Sequence, residues 1–93
     1  MGEDTLHGVA RPHLNDFGQN SGWAVTVTAG DGTVHDIVVV HAKEIGPDGE
    51  EAAIRHRLSG AYDLSDAELT RTSELTDDGL RAGVIRISGL RAT

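Results

Sequence analysis

The stretch from Trp23 to His41 constrains this chain more than any other. Two β-branched, apolar runs, Trp23-Ala24-Val25-Thr26-Val27-Thr28 and Thr33-Val34-His35-Asp36-Ile37-Val38-Val39-Val40-His41, flank Ala29-Gly30-Asp31-Gly32. Strand side chains alternate between faces, and Gly and Asp tolerate the positive φ of tight turns, so pattern and punctuation together predict a β-hairpin. With Gly30-Asp31 or Asp31-Gly32 as a two-residue turn, one face carries Trp23, Val25, Val27, Val34, Asp36, Val38 and Val40. That face is expected to be core. The other carries Ala24, Thr26, Thr28, His35, Ile37, Val39 and His41, and it is half apolar. A chain of 93 residues has a thin core, so cover for this second face is expected from a helix, a second copy or another protein.

The rest of the chain arranges itself around that hairpin. Residues 1–22 read as a flexible arm, because Gly2, Gly8, Pro12, Gly18 and Gly22 interrupt every apolar spacing. Residues 23–93 are then the single folded domain. Gly46-Pro47-Asp48-Gly49 marks a turn, and Glu50 to Leu58 follows with acids first, basic residues last and Glu51–Arg55 at i,i+4. A helix is predicted there, with a strand as the alternative. Ser65-Asp66-Ala67-Glu68 matches a capping box, which predicts a short helix from Asp66 to about Thr72. Gly83-Val84-Ile85-Arg86-Ile87-Ser88 is the last strand. The expected fold is α+β, a small antiparallel-rich sheet in the order hairpin, helix, short helix, strand. An all-β fold of four to five strands is the alternative.

Charge narrows the partners. The formal net charge is −7, and phosphate-backbone binding needs clustered Lys and Arg, so nucleic acid is disfavoured. Asp63 to Gly79 holds six acids against Arg71, whereas Leu80 to Thr93 holds Arg81, Arg86 and Arg91 and no acid. Two adjoining segments that neutralise each other on folding are the simplest reading. No cysteine is present, which removes disulfides, thiolate metal sites and thiol nucleophiles. The acidic start and the lack of a long apolar run predict neither a signal peptide nor a membrane span, and hence a cytoplasmic protein. A single lysine against seven arginines matches the coding bias of high-GC bacteria or their phages.

Few residues suggest chemistry. His35 and His41 fall on one face but six residues apart, roughly 20 Å along a strand, too far to share one zinc ion. No metal or other cofactor is expected. Asp36 stands on the apolar face, where an unpaired carboxylate costs several kcal/mol. It therefore lies at a rim, is re-aimed by a bulge, pairs with an arginine such as Arg86, or serves as a functional acid. Arg55 and Arg57, with Arg81 and Arg86, are candidates for holding a small anion. Neither a dinucleotide nor a phosphate-loop glycine pattern is present, and no nucleophile elbow.

Three functions follow in order. The first is a non-enzymatic interaction module acting through oligomerisation or docking on a partner protein, with His35, Ile37, Val39 and His41 at the interface. The second is an anion- or nucleotide-binding protein with Arg55, Arg57, Arg81 and Arg86 at a subunit boundary. The third is a small enzyme using Asp36 with a histidine.

Overall fold

Three hairpin loops of one kind set the course of the chain in the computed structural model, which describes residues 5–92. They join β1 (Thr5–Leu14) to β2 (Asn20–Thr28), β2 to β3 (Val34–His41), and β5 (Glu68–Leu75) to β6 (Arg81–Ala92). In each, the N–H of the first residue donates to the carbonyl of the fifth: Asn15 to Gln19 at 2.9 Å, Ala29 to Thr33 at 2.9 Å, Thr76 to Leu80 at 2.8 Å. The fourth residue is Gly18, Gly32 or Gly79, with φ of 76°, 91° and 80°. This is a three-residue loop, a type I turn closed by a left-handed residue, a conformation in which glycine carries no Cβ penalty.

The loop at Gly30–Gly32 is thus longer by one residue than the two-residue turn expected, and a β-bulge absorbs the difference. Thr28 pairs with Val34, but Val27 pairs with Asp36, which leaves His35 as the extra residue. Beyond the bulge, Val25 faces Val38 and Trp23 faces Val40, as an Asp31-Gly32 turn requires. Val34 is therefore not a core residue; it is 54% exposed.

The strand order is β3-β2-β1-β6, with β5 and the short β4 (Tyr62–Asp63) following one another along the far edge of β6. All pairings are antiparallel. The sheet curls into a half-barrel whose hollow is filled by Leu6, Ala10, Val25, Val27, Ile85 and Leu90. A helix, α1 (Glu50–Leu58), crosses that hollow and buries Ile54 and Leu58 completely. At nine residues α1 is too short to persist alone, so its packing holds it. The helix expected from Glu50 to Leu58 is present with those limits. At this level the architecture agrees with an antiparallel-rich sheet carrying one helix.

Two expectations are corrected. The arm expected over residues 1–22 is, from Thr5 onward, the central strand and the hairpin that leads out of it; residues 1–4 lie outside the described residues. Its glycine and proline are accommodated by position. Gly8 stands at the middle of the sheet, opposite Val27 on one side and Ile87 on the other. A Cβ there would meet the Ile87 side chain at 3.3 Å, so glycine lets the core close. Pro12 lies past Ala10↔Ile85, the last β1–β6 pair, where its missing N–H interrupts no ladder. Leu6 and Ala10 share one core with Ile54 and Leu90, so no domain boundary falls at residue 22.

The short helix expected from Asp66 is β5. Ser65 does not cap anything: its N–H and hydroxyl both donate to Asp63 Oδ1, at 2.9 and 2.6 Å. That bonding holds the Asp63 carboxyl below its ordinary range. Glu68 then begins an uninterrupted ladder with β6, from Glu68↔Ser88 to Leu75↔Arg81. The β-branched Thr70 and Thr72 suit a strand, and tertiary pairing prevails over the local cap signal.

Candidate interaction surface

The outer, convex face of β1–β2–β3 is built by register. His7, Thr28 and Val34 form one row across the strands, Val9, Thr26 and Ile37 the next, and Arg11, Ala24 and Val39 the third. No row contains a carboxylate, although the chain carries 15 acids. The Arg11 guanidinium is bound by both carboxylate oxygens of Glu74, the second at 3.2 Å, so its charge is already matched. Val84, on the outer face of β6 between the strands that carry this pair, is only 1% exposed. What remains is apolar and hydroxyl-bearing. Ile37 is 61% exposed, Val39 half-buried and His41 exposed at the strand end.

The free edge of β3 is treated differently from its face. Val38 and Val40 bond towards β2, so Ile37, Val39 and His41 turn their N–H groups outward. Asp36 Oδ1 accepts from the Ile37 N–H at 2.8 Å, and Glu44 Oε2 accepts from the His41 N–H at 2.9 Å. Glu44 belongs to a single 3₁₀ turn, Ala42–Glu44, directly after the strand. The His41 N–H is the main reason its carboxyl sits below the ordinary range. Two carboxylates and a bulge thus blunt this edge against strand addition. Of these N–H groups only that of Val39 is without such a partner among the described residues, and the outer face beside it is open.

Asp36 also explains why the half-barrel stays closed at its rim. Its Oδ2 accepts the Tyr62 hydroxyl at 3.1 Å, joining β3 at one margin of the sheet to β4 at the other. The His35 ring meets the Tyr62 ring edge-on, with centroids 6.0 Å apart and planes at 64°. In a bulge the two adjacent side chains leave on nearly the same side, and both are used here to hold one tyrosine. His35 therefore leaves the face on which the two-residue turn placed it. The partner of Asp36 is Tyr62, not Arg86. Burial, and then the bond to Asp36, raise the Tyr62 phenol above its ordinary pKa.

The four candidate arginines do not meet in one chain. Arg55 on α1 donates to the Ala67 carbonyl at 3.2 Å, and Arg57 approaches Glu44 at 3.9 Å. Arg81 donates to Ser73 Oγ at 3.2 Å beside the β5–β6 loop. Arg86 lies on the outer face of β6, in an open groove of about 370 Å³ with His7, Thr70 and Ser88. Among the described residues its guanidinium makes no hydrogen bond or ion pair, although it contributes to the field at Glu74.

Tyr62 and the Arg11–Glu74 pair were not legible in the sequence. Tyr62 and Asp36 are 26 residues apart, and no local pattern joins them. Among the described residues no group of three or more His, Asp or Glu stands close enough to hold a metal ion. Among the described residues no helix is long and apolar enough to cross a membrane. Compared with protein-family models, curated proteins and solved structures, the chain matches none.

Proposed function

We propose that the protein is a non-enzymatic interaction module that works through the outer face of β1–β2–β3, by oligomerisation or by docking on a partner protein. The observation that carries this reading is the three acid-free rows, with Ile37 at 61% exposure, in a chain of net charge −7. Sheet faces that meet only water usually mix charges of both signs, and apolar surface rimmed by polar groups is the mark of protein contact. The carboxylates on the β3 edge keep the neighbouring strand from serving as an unspecific template, so the contact is made by side chains. A photo-crosslinking residue placed at Ile37 or Val39, in cells that make the protein, tests this. A discrete adduct at both positions, with none from the exposed loop position Asp48, is expected. No adduct, or equal adducts from all three, contradicts it.

A second reading rests on Arg86, which lines one groove with Thr70, Ser88 and His7. Such a set suits a single phosphate or carboxylate group. Inorganic phosphate should then raise the unfolding temperature of the wild type and not of Arg86→Gln. Equal shifts in the two would dismiss it.

A further inference from the structure

The two margins of the sheet are unlike, and the difference assigns a partner. At β3 the outward N–H groups of Ile37 and His41 are taken by carboxylates. At β5 nothing takes them. The Thr76-to-Leu80 bond fixes the phase of the β5–β6 ladder, so Glu74, Thr72 and Thr70 bond towards β6. Leu69, Arg71, Ser73 and Leu75 then present both N–H and carbonyl to the outside. Among the described residues no side chain reaches any of these four N–H groups. The strand has no bulge and no proline, and Leu75 is 68% exposed. This is an open template for strand addition.

We infer that the occupant is a second copy of this chain, paired β5 to β5 in antiparallel about a two-fold axis at Thr72. That register pairs all four outward residues and suits the side chains best. It sets Leu69 opposite Leu75 of the second copy on the inner side, Arg71 opposite Ser73, and Thr70 opposite Glu74. An axis at Arg71 places two guanidinium groups face to face, and an axis at Ser73 places Leu69 opposite Asp77. Like charges directly opposite destabilise a strand pair, whereas apolar pairs stabilise it. Arg71 keeps its ion pairs with Glu51 at 3.0 Å and Glu50 at 3.7 Å, because both lie on α1 within its own copy. The product is one continuous antiparallel sheet through both copies, closed by an isologous contact. The ends of the paired stretch bring the Asp77-Asp78 loop of one copy towards Asp66 of the other. Added salt screens that repulsion, so association strengthens with ionic strength. This contact is separate from the outer face of β1–β2–β3 and stands whether or not that face binds a protein.

Sedimentation velocity of the full chain over a concentration series, with amide hydrogen exchange on the same samples, tests the inference. A reversible dimer is expected, with protection at Leu69, Arg71, Ser73 and Leu75 that grows with concentration, and none gained at Val39. Ser73→Pro removes an outward N–H without touching the ladder to β6, and Leu75→Asp removes the apolar pair. Each should weaken the dimer roughly tenfold or more while the monomer still unfolds cooperatively. A monomer at every concentration overturns the inference. So does a dimer untouched by both variants, and a dimer abolished by Ile37→Asp alone would place the second copy on the outer face of β3 instead.

Discussion

Asp36 shows how much a place at the sheet margin decides. Placed by alternation on an apolar face, its carboxylate would have been buried among valines. The residue stays opposite Val27 as alternation requires, but on the edge strand beside the loop it is exposed, and one oxygen holds Tyr62 while the other caps the strand edge. Tyr62→Phe deletes one hydrogen bond to a charged acceptor at a partly buried site, and denaturant unfolding should show a loss of about 1 kcal/mol. The pH dependence has a definite sign. The phenol's pKa is raised in the folded chain, so the unfolded chain releases its proton first as pH passes 10.0. The unfolded state then binds fewer protons, and stability falls with rising pH. Tyr62→Phe should flatten that alkaline fall, as followed by thermal unfolding. Glu74 behaves in the opposite sense. The Arg11 guanidinium, chiefly by hydrogen bonding, holds its carboxyl below the ordinary 4.5. The stability it contributes is present above that value and is lost as pH falls through the folded pKa, so Glu74→Gln should narrow the acid loss. Neither effect was legible in the sequence, because both depend on pairs of residues set together only by the completed sheet.

Elements were legible where local chemistry and tertiary pairing agree. The hairpin from Trp23 to His41, the helix Glu50–Leu58 and the last strand carry their own signals, although the last strand runs to Ala92 rather than Ser88. β1 and β5 did not. In β1 the alternation of Leu6 and Ala10 against His7 and Val9 is broken by Gly8, which reads as a breaker and in fact lets Ile87 and Val25 pack against the strand. In β5 a cap sequence stands before a strand, and Asp63 diverts its serine. The three loops teach the reverse lesson: Asn15-Asp16-Phe17-Gly18, Ala29-Gly30-Asp31-Gly32 and Thr76-Asp77-Asp78-Gly79 place glycine at the same fourth position, and their likeness is visible once the five-residue closure is known. Replacing Gly79 by Ala should cost about 1 kcal/mol by urea unfolding, the penalty for a left-handed alanine. Gly89→Ala should cost more. Its φ is 78°, and a Cβ would stand 2.4 Å from the Asp66 carbonyl oxygen, a backbone atom that cannot step aside. For α1, Ile54→Ala removes a fully buried side chain and should cost about 3 kcal/mol.

At the scale of the molecule, the first and last strands are neighbours. β1 pairs with β2 on one side and with β6 on the other, so the sheet is complete only when both ends of the chain are in place. Removal of residues 1–22 takes out the central strand and Leu6 and Ala10 with it, and circular dichroism of the truncated chain should show no cooperative melting. The curl that brings β4 to β3 leaves the outer face of β1–β2–β3 without a helix, its three rows free of acids and apolar in part, and the proposed function rests on that face being a contact surface. The most direct test is the crosslink yield from Val39 in cells when the same chain carries Ile37→Asp. Ile37 points away from the core, so the substitution should leave the unfolding midpoint nearly unchanged, within about 0.5 kcal/mol. The expected result is an unfolding curve that stays in place and a yield that collapses. An unchanged yield with the fold intact would contradict the account.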